Sequence, residues 1–280
     1  MGPGRSGVAL AVALRRAGLR VVGLHGRRRK ALPRGLRLTT GTAIPWLDHA
    51  SVVLLAVGDD RLARVAADIA RGLPPGGLRG RVVLHVSGAL ASGVLQPLRR
   101  RGASTGGMHP LMTLSSDPGS AAGALRGATF AVEGDPAAMR TARRLVRALG
   151  GASVVVPPRA RTRYHAGAVF ASNYVVTLLA AAEQLLATAG FSRAAARSAI
   201  VPLARASIGN AAALGPAAAL TGPVSRGDAV TIGRHLAALP PGLRPVYRAL
   251  AEATLRLARR SGLGARAARR VAAVLGPPGR

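Results

Sequence analysis

Gly2-Pro3-Gly4-Arg5-Ser6-Gly7 runs straight into a helical stretch from Arg5 to Ala17, and this junction decides how the rest of the chain reads. The spacing is G-x-G-x-x-G. In that arrangement the first glycine makes a tight turn, the second lets backbone approach a diphosphate, and the third lets helix and strand pack closely. The helix N-terminus behind the turn supplies free N–H donors and the positive end of its dipole. A strand at 19–25 (Leu-Arg-Val-Val-Gly-Leu-His) follows where such a unit needs one. The motif should also follow a strand, and only Met1 precedes it. A sheet lacking its first, central strand is therefore expected, and with it a natural start further upstream that supplies several apolar residues.

Outward from this junction, Ser51–Val57 is an apolar run ended by Gly58-Asp59-Asp60, and residues 81–86 form another ended by Ser87-Gly88. Shorter strands are expected near 103–108, 128–133 and 152–156, with helices at 60–72, 91–101 and 136–149. Short, non-alternating Val/Leu runs separated by helices indicate a parallel sheet covered on both faces. After Pro157-Pro158 only helical signals remain, at 159–189, 192–213, 228–238, 243–262 and 265–275, followed by a frayed tail at 276–280. The expected fold class is α/β then all-α: a Rossmann-like dinucleotide-binding domain over 1–157 and an all-helical domain over 158–280.

Composition narrows the function classes. Ala, Leu and Val carry an apolar content of 49% while aromatics make up 2%, so the core is built from small aliphatic side chains. The net charge of +30 is almost all arginine, Lys30 being the one lysine, and the arginines scatter through every expected helix. A nucleic-acid binder would gather them on one face with stacking aromatics between, so a specific nucleic-acid partner is not expected. With no cysteine there are no disulfides, thiolate metal sites or thiol nucleophiles, and the six histidines lack metal-ligand spacing. The uncharged run Tyr164–Ala182 nearly reaches the ~20 residues of a membrane span, but Ser172, Asn173 and Thr177 within it favour a helix buried in protein. No membrane partner and a cytoplasmic location follow as expectations.

The end of the second strand discriminates between dinucleotides. NAD sites place a carboxylate there for the ribose hydroxyls, whereas NADP sites place arginine near the 2′-phosphate. His25-Gly26-Arg27-Arg28-Arg29-Lys30 has no carboxylate nearby, and a guanidinium offers a bidentate fork to a phosphate. NADP is the expected cofactor, with NAD or a deazaflavin as alternatives.

Five segments then fall in order: Val57-Gly58-Asp59-Asp60, His85-Val86-Ser87-Gly88-Ala89-Leu90, Met108-His109-Pro110-Leu111, Tyr164-His165-Ala166 through Phe170-Ala171-Ser172-Asn173-Tyr174, and Leu220-Thr221-Gly222-Pro223-Val224-Ser225-Arg226-Gly227-Asp228. Together they resemble the bacterial Rossmann-like proteins whose C-terminal half is domain of unknown function 2520, a family similar in turn to pyrroline-5-carboxylate reductase and the wider 6-phosphogluconate-dehydrogenase-like group. The resemblance implies a homodimer with interlocking helical domains, NADP binding, and hydride transfer to or from a small carbonyl or imine compound. A non-catalytic NADP-binding protein of regulatory or structural type is the alternative.

The candidate residues follow from both readings. Gly2, Gly4, Arg5, Ser6 and Gly7 would hold the diphosphate, Arg27 and Arg28 the 2′-phosphate, and Val57, Gly58, Asp59, Ser87 and Gly88 the nicotinamide ribose. Asp59 and Ser87 serve equally well as helix caps. His109, held extended by the following proline, is either a pocket residue or a packed one. Arg161, His165 and Ser172, at +4 and +7 from the first, should share one helix face. The resemblance puts a proton-donating lysine at position 161. Arginine is a poor proton donor, so His165 becomes the candidate general acid, histidine being the side chain that ordinarily exchanges protons near neutrality, assisted by His109 and Arg161. Ser172, Asn173, Thr221, Gly222 and Arg226 would contact substrate, and Asp228 would either join them or cap the next helix.

Overall fold

The computed structural model describes residues 1–277, so the tail expected at 276–280 lies largely outside the described residues. Two compact units emerge, Met1–Ser172 and Asn173–Arg280. The first therefore reaches past the Pro157-Pro158 break.

In the first unit the elements alternate: α1 (Arg5–Arg16), β1 (Leu24–Gly26), β2 (Leu38–Thr40), β3 (Val52–Leu55), α2 (Asp59–Arg71), β4 (Val82–His85), α3 (Gln96–Arg99), β5 (Ser104–Pro110), α4 (Pro118–Ala124), β6 (Thr129–Gly134), α5 (Pro136–Ala148), β7 (Ala152–Val155) and α6 (Arg161–Ala171). Residues of β3 and β4 alternate between two cores. Leu84, with Met108 and Phe130, packs toward α1, α4 and α5, while Val53, Leu55 and Val83 pack toward α2 and α3. Both faces of the sheet are thus covered, as a βα alternation requires. Helix α1 buries every residue from Val8 to Leu14, the behaviour of a helix apolar all round. Its neighbour α4 presents Ala121 and Ala122, small enough for close approach.

Three sequence expectations are corrected. The sheet is parallel apart from one antiparallel pairing, β5 with β6. The strand expected at 19–25 shortens to Leu24–Gly26. The helix expected at 91–101 divides into a 3-10 turn at Ser92–Leu95 and the single turn of α3, with Pro97 near the junction.

The strands form two sheets, β1-β2 and β3-β4-β5-β6-β7. Between β1 and β3 lies a groove of about 260 Å³, lined among others by Val21, Leu24, Val52, Leu54, Leu10 and Trp46. Only its end is bridged. Gly2 N–H donates to His25 O (2.9 Å), Ala56 N–H donates to Met1 O (2.8 Å), and the Met1 amine donates to Leu54 O. Met1 and Gly2 therefore pair as the last residues of a strand would, at the place where the central strand was expected to be missing.

The second unit contains α7 (Asn173–Thr188), α8 (Arg193–Leu214), α9 (Ala229–Ala238), α10 (Arg244–Arg260) and α11 (Ala265–Leu275). Its core is made by Ile232, Leu236, Ala251, Leu255, Ala268 and Val271 from the last three helices. The stretch Pro158–Thr188 is long and apolar enough to cross a membrane. It is not one continuous α-helix, however, because Ser172 leaves helical geometry at φ −126°, ψ −73°. None of its most apolar window is buried by the rest of this chain.

Candidate functional site

The glycine turn meets each geometric demand placed on it. Gly2 has φ +87°, a conformation open to glycine, and a Cβ there would lie 2.4 Å from Ala56 O. A Cβ on Gly7 would stand 2.1 Å from Gly2 O, so the third glycine permits α1 to press against the turn. Gly4 caps α1 with extended backbone and has nothing within 4 Å of its would-be Cβ. The α1 N-terminus has no side-chain cap and no acidic residue in its first turn, leaving its N–H donors available to an anion.

The end of β1 is locked onto the same turn. Gly26 approaches Pro3 so closely that a Cβ would sit 2.6 Å from the Pro3 ring. His25 is buried and bonds Thr39 Oγ1 through Nδ1 (3.0 Å) and Gly41 O through Nε2 (3.1 Å), a structural role that burial accompanies with a lowered pKa. Arg27 and Arg28 are exposed beyond it. Lys30, which the sequence reading did not single out, donates to Pro3 O at 2.8 Å and so adds a cation beside the turn. Arg5 opens α1, Ser6 follows it, and Val57 packs its Cγ1 against Gly2.

At the ends of β4 and β5 the fold assembles a polar cluster. His85, Gly107 and Glu133 face one another across three strands, with His85 opposite Gly107 and Gly107 opposite Glu133. The middle position carries no side chain, so its two neighbours reach toward each other over it. A Cβ on Gly107 would lie 2.9 Å from both Glu133 Oε1 and His85 Cε1, and 3.1 Å from Arg161 Nη2. All three side chains are buried, at 0%, 4% and 1% exposure for His85, Glu133 and Arg161. Glu133 accepts from Ser92 N–H and Ser92 Oγ, both at 2.7 Å, while His85 Nε2 stands 3.7 Å away. Burial alone would push the carboxyl pKa up. The groups contributed by His85 and Ser92 outweigh it and hold the acid below its ordinary value.

Arg161 reaches from the start of α6 to grip the β4 loop, donating through Nε to Leu90 O (3.1 Å) and through Nη2 to Ser87 O. Its Nη1 and His85 Nε2 are buried without a hydrogen-bond partner among the described residues. Ser87 Oγ accepts from Leu90 N–H at 3.0 Å and closes a local turn; it caps no helix, since the next helical turn, Ser92–Leu95, is preceded by Ala91. Asp59 opens α2 with no side-chain cap bond. Its charge acts instead on His109 and Arg161, raising the pKa of each against larger lowering effects.

Above this layer sit His109, Tyr164 and His165. His109 Nδ1 lies 2.7 Å from Tyr164 Oη with the rings edge-on, and the His109 and His165 ring centres are 6.1 Å apart. A Cβ on Gly88 would come within 2.9 Å of His109 Nε2 and 2.5 Å of His165 Cδ2, so only a bare glycine lets both histidine rings close on the chain here. Burial, then the Arg161 and His165 charges, push His109 down to about 4. Burial pushes Tyr164 up. The sequence had paired neither Tyr164 with His109 nor His85 with Glu133.

Other candidates fall elsewhere. Ser172 closes α6, and its hydroxyl donates to Ala168 O at 2.7 Å. In the second unit Asn173 opens α7, and Thr221, Gly222 and Arg226 lie on the loop before α9. Asp228 caps α9, accepting from Thr231 N–H (3.0 Å) and Thr231 Oγ1 (2.7 Å), with its carboxyl held below the usual range by those bonds. Among the described residues, no group of metal-ligating side chains comes together.

Comparison with known proteins places these observations. Residues 1–110 match the model of the Rossmann-like domain, and residues 128–254 match that of the Domain of unknown function (DUF2520). No curated protein matches. Among solved structures, a candidate NADP oxidoreductase from Bacteroides fragilis is similar at 21% identity and TM-score 0.73, over 91% of this chain and 96% of that one. A Thermotoga maritima protein is similar at 22% identity and TM-score 0.63, over 80% and 83%. The NADP-bound pyrroline carboxylate reductase of Plasmodium falciparum is similar at 15% and 0.60, over 94% and 97%. At these identities the likeness establishes the fold.

Proposed function

From a chain that carries a Rossmann-like domain followed by DUF2520, we propose an NADP-dependent oxidoreductase that moves hydride to or from a small carbonyl or imine compound. The observation that carries this reading is the glycine turn: Gly2 and Gly7 have no room for a side chain, while Gly4 leaves open approach to the N–H donors of α1. Arg27 and Arg28 supply guanidinium groups for a 2′-phosphate. Reduced nicotinamide, when bound, would supply the hydride. His165 then offers the proton, and the place where it and His109 meet Gly88 lies past the C-terminal end of β4, the edge where open α/β sheets hold ligands.

The first test is thermal-shift titration with NADPH, NADH and a deazaflavin. NADPH should stabilise most. The double substitution Arg27→Ala/Arg28→Ala should weaken NADPH between roughly tenfold and a hundredfold while leaving NADH unchanged, from the loss of charge-assisted bonds of ~1.5–3 kcal/mol. Equal weakening of both would remove the phosphate assignment. Tight NADPH binding with no turnover across keto acids, aldehydes and cyclic imines would shift the reading to a non-catalytic NADP-binding protein. That second reading is favoured by Arg161, which occupies the candidate donor position and is committed to backbone carbonyls.

Assembly as a homodimer belongs to the same proposal. Helix α7 buries none of its residues, and Leu203, Ile208 and Leu214 of α8 are exposed. An apolar surface of this kind is suited to a second copy of the chain. Sedimentation at micromolar concentration should give twice the chain mass of 28.4 kDa, and Leu203→Glu/Ile208→Glu should return it to a monomer. A wild-type monomer at that concentration would end the idea.

A further inference from the structure

The three residues around Gly88 carry more than a generic acid–base assignment. Tyr164 Oη has one hydrogen-bonding neighbour among the described residues, His109 Nδ1 at 2.7 Å. A half-buried phenol whose burial keeps it protonated has to place its proton, and Nδ1 is the acceptor at hand. The ring proton of a neutral imidazole then belongs on Nε2, because the hydrogen bond made by one nitrogen sets the state of the other. Among the described residues Nε2 makes no hydrogen bond, and it lies beside Gly88, where a Cβ would stand 2.9 Å from it. The backbone leaves the ring little choice of position, since His109 pairs with Ala131 in the β5–β6 ladder and Pro110 follows it.

We propose that Tyr164 is a positioning residue that fixes the Nε2–H tautomer of His109, and that this uncharged N–H donates a hydrogen bond to the oxygen of a carbonyl substrate. The inference rests on the oxidoreductase reading and sharpens its substrate class from carbonyl or imine to carbonyl. During reduction hydride adds to the carbonyl carbon and the C=O π pair moves onto oxygen. The developing alkoxide is held by His109 Nε2–H, and a proton from His165 completes the alcohol. A neutral donor stabilises an oxygen that gains negative charge without surrendering its own proton. A cationic iminium has no lone pair to accept that bond and would face the Arg161 guanidinium nearby. The charged and titratable groups acting on His109 are Arg161, His165, Asp59 and His85, with Tyr164 in direct contact.

The test reads the tautomer directly, on the full chain without substrate. Long-range ¹H–¹⁵N spectra of the histidine rings, with His109 identified by its loss in His109→Gln, should show an uncharged Nε2–H ring from neutral pH down to about pH 5. In Tyr164→Phe the Nδ1–H form should appear, while NADPH affinity stays unchanged. Turnover of a carbonyl substrate should fall about tenfold in that variant, the worth of one well-placed hydrogen bond, and cyclic iminium substrates should be poor in both proteins. An Nδ1–H ring in the wild type, or a tautomer unmoved by Tyr164→Phe, overturns the proposal whether or not turnover is found. Absence of any turnover with the tautomer as stated overturns the oxidoreductase reading and the carbonyl assignment built on it, leaving the Tyr164–His109 pairing standing.

Discussion

Four apolar residues added ahead of Met1 are expected to raise the melting temperature by roughly 5–10 °C. The groove between β1 and β3 is lined mainly by apolar residues, with Arg20, His49, Ser51 and Arg144 also on its walls, holds about 260 Å³, and is already entered at its end by Met1 and Gly2 in strand-like pairing. Residues continuing backward from Met1 would lie against β3, itself a four-residue strand. Burying aliphatic side chains at ~1.5–3 kcal/mol each, and pairing backbone groups on both flanking edges, would exceed the ordering cost of ~1–2 kcal/mol per residue. A net gain of about 3 kcal/mol corresponds to that temperature shift.

The pH dependence should change as well. Burial lowers the Met1 amine from 8.0 to about 5. Below the lower value both folded and unfolded chains carry the proton, and the folded state bears the whole burial penalty. Between about 5 and 8 only the unfolded chain holds it, so stability rises with pH by up to about 4 kcal/mol. An extended chain carries its amine outside the groove and should lose this slope. The His109 contribution runs the same way between about 4 and 6.5 and cancels when the two chains are compared. Identical melting temperatures and identical slopes would show that the groove does not accept a strand.

The second large effect separates two glycines of one motif. Gly4→Val should lower the melting temperature by no more than about 4 °C, the loss of a favourable cap residue, yet cost a hundredfold or more in NADPH affinity, because its Cβ has no protein atom within 4 Å and stands where a diphosphate would approach. Gly7→Ala should act on the fold itself: its Cβ would fall 2.1 Å from Gly2 O, and α1 must move off the turn to admit it. Calorimetry and NADPH titration of both variants distinguish the outcomes. A Gly4→Val protein that binds NADPH normally would dismiss the diphosphate assignment.

Much of the fold was legible because the signals are local. Val52–Leu55 is an unbroken aliphatic run, Val82–Leu84 is another running into His85, and a glycine follows each within four residues, while α5 and α11 end within a residue of their expected limits. The failures were non-local. Leu38–Thr40 becomes a strand because β1 offers it an edge, in a segment otherwise rich in arginine and glycine. Whether β6 runs parallel or antiparallel to β5 depends on the path of the intervening loop and of α4, which leaves no mark on either strand. The site divides similarly. Its glycines and the Arg161–His165 pair are close in sequence, whereas His109 and Tyr164 lie 55 residues apart. Glu133 gave one usable signal, a carboxylate inside the apolar strand Thr129–Gly134 in a chain with ten acids against forty bases.

The bare centre of the His85–Gly107–Glu133 row constrains how this protein can vary. Any side chain at 107 would collide with an acid, an imidazole and a guanidinium at once, and shrinking His85 or Glu133 would leave the Arg161 charge stranded in a dry interior. Divergence at any one of these positions is therefore blocked unless the others change together. A chain altered at one of the three row positions alone should therefore fold less stably than one altered at all of them together.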